Sequence, residues 1–282
     1  MVRNLFLLVM LFMALVGCER PVVSDAEEPP MAEANLVVEV YQMKLTPFPV
    51  FTRTVVENAC TRLNFAIYNP DGTRVKQLNQ TSDMADFGHA SFQLEEGTYQ
   101  LVVVAHSSNG NPTMTDPAKI QFTNAQGFSD TFLYTQQIVV GEEPQTLSVI
   151  TNRIVALCRV VFTDNYPEGI SKLQFQYKGG SGAFDASTGL GCVNSVQKMV
   201  YDVSSGQKQF DLYTFLHSKE GTIHLTLSAL DASGDELVNR EFDVPMQQNY
   251  ITWLSGDLFN GGSISPTIQI NTEWDGELHL TF

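Results

Sequence analysis

The chain has 282 residues, of which 31 are acidic and 16 are basic, and its formal net charge is −15. This charge argues against a nucleic-acid partner, because phosphates require basic patches, and against electrostatic docking on anionic lipid. Charged residues make up only 17% of the chain, and Thr, Val, Phe and Tyr are abundant, which favours a β-rich protein. The negative charge is more simply explained as keeping an exposed protein soluble.

The N-terminus carries the pattern of a secretory signal peptide. Arg3 precedes an apolar run over residues 5–16, which is shorter than the roughly 20 residues that a membrane span requires. Gly17 is a small residue of the kind found before a cleavage site, and Cys18 follows it directly. A Cys in this position resembles the signal of bacterial lipoproteins. The alternative is an ordinary cleaved signal peptide with an incidental Cys.

Lipidation at Cys18 would fix both compartment and attachment. In the lipoprotein family a diacylglycerol is attached to the Cys sulfur, the chain is cut before that Cys, and the new amine is acylated, typically with palmitate. Two or more acyl chains give stable anchoring, because each buried methylene contributes about 0.8 kcal/mol. We therefore predict a signal peptide over residues 1–17. Residues 18–35 are expected to form the lipidated Cys and a flexible linker, because they are acidic and Pro-rich.

The next part of the chain alternates apolar and polar residues with the period of a β-strand. Residues 36–41 and 63–67 each predict a strand, and Gly/Asp/Asn-rich turns separate such runs. Residues 99–105 are apolar at both parities, which predicts a central strand covered on both sides. Residues 107–147 show a weaker pattern, interpreted as polar loops with short apolar pieces. We expect an N-terminal β-sandwich over residues 36–150.

A second β pattern follows, and we expect it to form a C-terminal β-sandwich over residues 151–282. Residues 154–162 favour a strand because they are rich in β-branched side chains. The Gly-rich stretch 179–191 is interpreted as a long loop, and residues 223–244 as a hairpin. Short strands, turn-forming residues and almost no helical period indicate an all-β fold class, with two tandem sandwiches and a boundary near residues 148–153.

The cysteines show no metal-ligand spacing. Cys60, Cys158 and Cys192 do not cluster, and no CxxC pair occurs. An odd number of cysteines in an oxidising compartment leaves at least one thiol outside a disulfide. Cys158 lies in an apolar run and is predicted to act as a small buried hydrophobe. A Cys60–Cys192 bridge is left open.

No catalytic constellation is found in the sequence, so no catalytic residue, metal site, cofactor or enzymatic activity is predicted. The motifs of serine hydrolases, zinc proteases and calcium loops are absent. The histidines are scattered along the chain: His89, His106, His217, His224 and His279. Those at 106, 224 and 279 occupy polar positions of predicted strands, so we expect them to be solvated or half-buried.

Three further segments carry a family resemblance. They are 94–103 (LEEGTYQLVV), 242–259 (FDVPMQQNYIT followed by GDLF) and 268–282. Together with Cys18 they resemble the fimbrillin-like lipoproteins, which are subunits and anchors of type V pili of Gram-negative anaerobes. The resemblance implies two tandem transthyretin-like β-sandwiches, a surface-exposed lipoprotein of the cell outer membrane, and a role in adhesion. It also implies other fimbrial subunits as partners, joined by strand exchange.

The resemblance singles out a cleavage site. In shaft-forming relatives a protease cuts after an Arg in the loop behind the first strand and frees an acceptor groove. Arg53 lies in the corresponding segment, residues 46–58. Anchor and some accessory members keep their first strand, so stalk, tip and anchor roles are all open.

The C-terminal strand is a candidate donor, with Leu278, Leu280 and Phe282 on its apolar face. A donated strand satisfies the unpaired backbone groups of an open sheet edge and fills the apolar groove beside it. Pairing of this strand within its own domain is an equally open alternative.

A second function class is a surface carbohydrate-binding lipoprotein, which would share the lipid anchor, the acidic charge and the β-sandwiches. Aromatic side chains on one exposed face would favour it. The sequence has only two Trp, at positions 253 and 274, and a packing role is the commoner one for Trp. We therefore favour the fimbrial interpretation.

Overall fold

The computed structural model describes residues 33–44, 53–54, 60–123, 128–260, 265–269 and 276–281. The strands of the first half are β1 (Leu36–Lys44), β2 (Arg53–Thr54), β3 (Arg62–Tyr68), β4 (Arg74–Thr81), β5 (His89–Phe92), β6 (Gly97–His106), β7 (Thr113–Asp116), β8 (Lys119–Gln121), β9 (Thr131–Val140) and β10 (Gln145–Arg153). Those of the second half are β11 (Ala156–Phe162), β12 (Lys172–Ser181), β13 (Ala183–Asp185), β14 (Leu190–Gly191), β15 (Asn194–Asp202), β16 (Gln209–Thr214), β17 (Glu220–Leu230), β18 (Glu236–Gln247), β19 (Tyr250–Gly256), β20 (Ser265–Gln269) and β21 (Gly276–Thr281). The predicted all-β fold class is confirmed.

The first sandwich is one sheet folded into two facing leaves. Its order is β2-β1-β10-β9-β6-β3-β4, and β5 pairs with the outer side of β1. The fold occurs between β9 and β10, which pair only at Phe132–Arg153 and Leu133–Asn152. One leaf is therefore β10-β1-β5 and the other is β9-β6-β3-β4. Buried side chains from both leaves, such as Val38, Phe65 and Leu101, form the first core between them.

Strand β6 is central, as predicted. It pairs with β3 on one side and with β9 on the other along its length. Leu101 and Val103 point into the first core, whereas Val102 and Val104 belong to a different core on the outer face of the sheet. Both faces of the strand are buried, and this explains why its sequence is apolar at consecutive positions.

The second sandwich packs two separate sheets. One has the order β16-β11-β19-β21-β20 and the other β15-β12-β17-β18. Their inward side chains form the second core, in which Phe162, Phe175 and Phe210 are in mutual ring contact. Cys158 also lies in this core and is fully buried, as predicted. Pro245 lies in β18, which pairs only with β17 among the described strands; an edge strand is where a residue without an N–H is tolerated.

A third core, here called the junction core, lies between the outer face of the first sandwich and one end of the second. It is built around Phe122, Phe128, Phe184 and Phe215, whose rings pack against one another. A small sheet of order β14-β13-β8-β7 joins chain segments from both halves. Residues Ala34–Phe282 accordingly form one compact unit. The division into 36–150 and 151–282 stays a prediction.

The Gly-rich stretch is not the long loop that the sequence indicated. Strand β12 continues to Ser181, and β13 and β14 follow within the stretch. A Cβ on Gly180 would lie 1.9 Å from Thr214 Oγ1, and one on Gly179, whose φ is +96°, would lie 2.5 Å from the Thr222 carbonyl oxygen. These glycines therefore let a bulged strand approach its neighbours closely rather than break it.

The sequence also underestimated the strand content of residues 107–147, which it predicted to be polar loops with short apolar pieces. They contain β7, β8, the ten-residue β9 and the start of β10. The alternation in β9 is obscured because its first three residues, 131–133, are all buried, by the first core on one face and by the junction core on the other. A period-two search misses a strand whose environment changes along its length.

Candidate functional site: the first strand and its groove

The N-terminal strand β1 is inserted into the first sandwich with partners on both sides. It runs parallel to β10 from Leu36 to Lys44, with an irregularity between Val40 and Gln42. On its other side β5 pairs with its first half and β2 with its last two residues. Removing β1 would therefore leave unpaired backbone groups on two facing strand edges.

The side chains of β1 fill the first core. Leu36 and Val38 are fully buried, Val40 is 6% exposed and Met43 is 1% exposed. The bulge at Tyr41 changes the parity, so that Met43 points inward while Tyr41 is 59% exposed. Each such side chain contributes roughly 1.5–3 kcal/mol when fully buried. Without β1 the space they occupy would be an apolar groove.

Asn35 fixes the position at which β1 begins. Its Nδ2 donates to the Leu94 carbonyl oxygen at 2.8 Å, and its Oδ1 accepts from the Leu94 N–H at 3.0 Å. Its carbonyl oxygen accepts from the Gln145 N–H at 3.1 Å. Successive side chains of a strand point to opposite faces of the sheet, so a one-residue slip would turn every core side chain outward. The Asn35 contacts hold the register against such a slip.

The far wall of the groove is held independently of β1. Gln80 of β4 is 1% exposed and donates through Nε2 to the carbonyl oxygens of Asp86 and His89, at 3.0 and 2.7 Å. Its Oε1 accepts from the Gly88 N–H at 3.0 Å. The Gly88 carbonyl in turn accepts from the Val40 N–H of β1 at 2.8 Å. Gln80 thus ties β5 to the opposite leaf, a role that no sequence pattern pointed to.

Arg53, the predicted cleavage residue, lies directly behind this strand. It forms the two-residue strand β2 with Thr54 and is paired with Lys44 at the end of β1. The neighbouring segments 45–52 and 55–59 lie outside the described residues. The structure therefore brings Arg53 to the end of the first strand, and its cleavage stays a prediction.

The C-terminal strand β21 lies within its own sheet. Leu278 is opposite Thr252 of β19 and Ile268 of β20, and Leu280 is likewise paired on both sides. Phe282 lies outside the described residues, as does the predicted lipidation residue Cys18. The donor role of this strand stays a prediction.

No disulfide joins the cysteines of the described part of the chain. Cys60 and Cys158 are buried and Cys192 is exposed, so the Cys60–Cys192 bridge that the sequence left open is not formed. Burial raises the pKa of the Cys60 and Cys158 thiols to about 12. Both therefore stay protonated at neutral pH, and thiols in that state are poor nucleophiles.

The prediction for His106 was wrong. The ring is fully buried because the junction core covers the outer face of β6, and it packs edge-on against Phe122. Its Nε2 donates to Asn64 Oδ1 at 2.8 Å and its Nδ1 accepts from the Ser108 N–H at 3.1 Å, which defines a neutral ring. His224, by contrast, is exposed and pairs with Asp243 across two strands, as expected for a solvated strand His.

We expect His106 to make the fold sensitive to acid. Burial lowers its pKa from 6.5 to about 4, so the unfolded chain binds the proton more tightly than the folded one. Its contribution is complete above pH 6.5 and is lost as the pH falls to about 4, a change of about 3 kcal/mol. Urea unfolding at pH 7 and pH 4 should show a smaller pH-dependent loss of stability in His106→Gln than in the parent.

The described residues contain no group of three or more His, Cys, Asp or Glu side chains arranged to hold a metal ion. Within the same residues no helix has the length and apolar character of a membrane span. Trp253 is half-buried against the junction core, with the Arg159 guanidinium 5.1 Å from its ring centroid. Trp274 lies outside the described part of the chain.

The model of DUF6562, a family of unknown function, matches residues 31–281 of the chain. No curated protein matches the chain. Among solved structures, a candidate polysaccharide-binding protein of Bacteroides thetaiotaomicron is 12% identical with a TM-score of 0.48, over 73% of this chain and 80% of that chain. A candidate adhesin of Bacteroides ovatus is 15% identical with a TM-score of 0.49, over 81% and 87%.

A third solved structure is the fimbrial anchor protein Mfa2 of Porphyromonas gingivalis. It is 13% identical with a TM-score of 0.44, over 73% of this chain and 80% of that chain. The neighbours are thus described as adhesins, fimbrial proteins and a polysaccharide-binding protein.

Proposed function

The chain belongs to DUF6562, a family of unknown function, and we propose that it is a structural subunit or anchor of a cell-surface fimbria with a role in adhesion. The observation that carries this proposal is the first strand: β1 is paired on both sides, its buried side chains line one groove, and Arg53 follows it. A strand placed in this way can be replaced by an equivalent strand of a neighbouring subunit.

The geometry of the groove supports strand exchange. The wall formed by β5 is tied to β4 through Gln80, and the other wall is β10. The β5 wall would keep these bonds when β1 leaves, β10 would stay joined to β9 at Asn152 and Arg153, and the apolar sites of Leu36, Val38 and Met43 would be vacated. An incoming strand gains main-chain hydrogen bonds on two edges and fills these sites with alternate side chains. Cleavage after Arg53 would free β1 from the rest of the chain.

This proposal is tested by cleavage followed by peptide exchange. The protein is cut with an Arg-specific protease and mixed with an excess of a fluorescent peptide that copies residues 33–44. We expect the cut protein to take up the peptide, because the copy restores the buried side chains of β1, while uncut protein and the Arg53→Gln variant exclude it. A peptide carrying Val38→Asp is the matched control and should fail, because it places a charge where Val38 is fully buried. Equal uptake with and without cleavage, or none after cleavage, contradicts the proposal.

We also propose that the mature chain is anchored in the outer membrane through Cys18, which directly follows Gly17 in a signal-peptide pattern. Cys18→Ser removes the sulfur that accepts the diacylglycerol, so we expect the variant to incorporate no fatty acid. Metabolic labelling with a radioactive fatty acid, followed by fractionation, measures this. Cys192→Ser serves as the control, since its thiol lies far along the folded chain, and it should be labelled like the parent. Continued labelling of Cys18→Ser would refute lipidation at this residue.

A further inference from the structure

A cleft of about 400 Å³ opens where β9 and β10 diverge, and it is here called the junction cleft. Its walls are residues 133–135 of β9, residues 150 and 152–153 of β10 with Ile154 after it, and the loop 186–189. Lys219 and Gln248 close one side. Its volume lies within the roughly 300–1,000 Å³ that small-molecule sites occupy. None of the residues predicted from the sequence to be functional lies in it.

The floor of the junction cleft is fixed. Gln248 is 8% exposed, and its Nε2 donates to the carbonyl oxygens of Ile154 and Gly189, at 2.9 and 3.0 Å. Gly189 has a φ of +67°, and a Cβ there would lie 2.8 Å from Ile154 Cγ2. The loop can approach β10 this closely only with Gly at that position. The cleft is therefore a built feature and not a gap between mobile loops.

The lining suits a saccharide. Hydroxyl and amide side chains, which both donate and accept hydrogen bonds, come from Thr135, Asn152, Ser187 and Thr188. The lining also contains the apolar side chain of Ile150, which is 45% exposed. Sugar rings offer alternating hydroxyl groups and apolar C–H faces, and a lining of polar and apolar side chains matches both.

The charged side chains of the cleft indicate which kind of saccharide would bind there. Arg153 lies at the floor, but Asp130 holds its guanidinium through two hydrogen bonds of 2.7 Å. Lys219 is exposed, and it donates to the neutral side chain of Gln248. An ammonium group carries three donors, so others can face a ligand. The lining thus offers the ammonium group of Lys219 to an anion, while the Asp185 carboxylate accepts a hydrogen bond from Ser187 Oγ at 2.7 Å beside the loop 186–189.

From these contacts we propose that the junction cleft binds a carboxylate-bearing saccharide, with the ligand carboxylate on Lys219 and its hydroxyl groups on the side chains at 135, 152, 187 and 188. A charge-assisted hydrogen bond between ammonium and carboxylate is about twice as strong as a neutral one. The neutral groups then orient the ring. This binding does not depend on assembly by strand exchange, so either proposal can fail without the other.

Isothermal titration calorimetry of the intact protein tests the site. The probes are sialyllactose and digalacturonic acid, with lactose as the neutral comparison. We expect at least one acidic saccharide to bind at least tenfold more tightly than lactose. Lys219→Gln should weaken that binding about tenfold, whereas Lys198→Gln, which changes an exposed Lys on β15 outside the cleft, should not change it.

Three results would overturn the assignment. These are no heat from either acidic saccharide at millimolar concentration, lactose binding as tightly as both of them, and an equal loss of affinity in the two Lys variants. Asn152→Ala guards against a purely electrostatic effect, because it removes a neutral lining group without changing the charge. It should weaken binding while leaving the Tm unchanged, since Asn152 is exposed. A fourth result that contradicts the site is unchanged affinity in both single variants, Asn152→Ala and Lys219→Gln.

Discussion

Deleting residues 277–282 is expected to lower the Tm of the isolated chain by about 10 °C or more. Strand β21 lies between β19 and β20, with six residue pairs on one side and five on the other. Its loss breaks both ladders and separates β20 from the rest of the sheet. The loss of several kcal/mol corresponds to such a shift, since each kcal/mol moves the Tm of a protein of this size by roughly 2–4 °C.

The same deletion decides the role of the C-terminal strand. Donation to a neighbour would require β21 to leave its place between β19 and β20 in its own sheet, and melting of the truncated chain measures what that loss costs. Thermal melting by circular dichroism is compared with a fibre-incorporation assay. A truncated chain that melts like the parent but no longer joins a fibre would support donation and contradict our expectation. Deletion of residues 19–33, which lie within the predicted linker 18–35, is the control and should leave the Tm unchanged.

The sequence predicted those strands whose two faces differ in a regular way. The alternation in the β17–β18 hairpin survives because one face meets the second core and the other is mostly exposed. Strand β6 was recognised for the opposite reason, since an uninterrupted apolar run over 101–105 indicates two covered faces. Such signals are local, because each residue reports its own burial.

The junction core could not be predicted in that way. Phe122, Phe184 and Phe215 are far apart in the chain, and each stands in a short segment with no alternation of its own. They form a core only because the two sandwiches meet at this place. The error for His106 was avoidable in part, because His106 lies on the same face of β6 as Val102 and Val104, whose apolar character already indicated a covered face.

The candidate site was likewise only partly predictable from the sequence. The first strand and Arg53 are contiguous in sequence, so the pattern and the resemblance located them. The walls of the groove required the structure: Gln80 closes one side through three hydrogen bonds whose partners lie six to nine residues away. The junction cleft draws on segments near 134, 152, 188, 219 and 248, and no sequence spacing connects them.

Asp130→Asn is expected to lower the stability of the whole unit by about 3 kcal/mol. The Arg153 side chain is 4% exposed, and its guanidinium lies 4.9 Å from the centroid of the Phe132 ring. The Asp130 carboxylate accepts two hydrogen bonds from this guanidinium, and the Asn249 side chain of the second sandwich accepts from Nη1 at 3.3 Å. Removing the negative charge leaves a buried cation without its counter-charge, and breaking a buried pair in this way costs about 3–5 kcal/mol. The lower end applies because Asp130 is 26% exposed.

The chain supplies a matched control for this change in Arg159–Asp211. That pair is also bidentate, at 2.7 and 2.8 Å, but its Arg side chain is 24% exposed. Solvent screens the charges, so Asp211→Asn should cost no more than about 1 kcal/mol. Urea unfolding of both variants gives the comparison. If Asp130→Asn lowers the free energy of unfolding as little as Asp211→Asn does, then the buried pair does not stabilise the junction between the two sandwiches. Adding Arg153→Met to Asp130→Asn should recover part of the loss, because it removes the uncompensated charge that makes the single change costly.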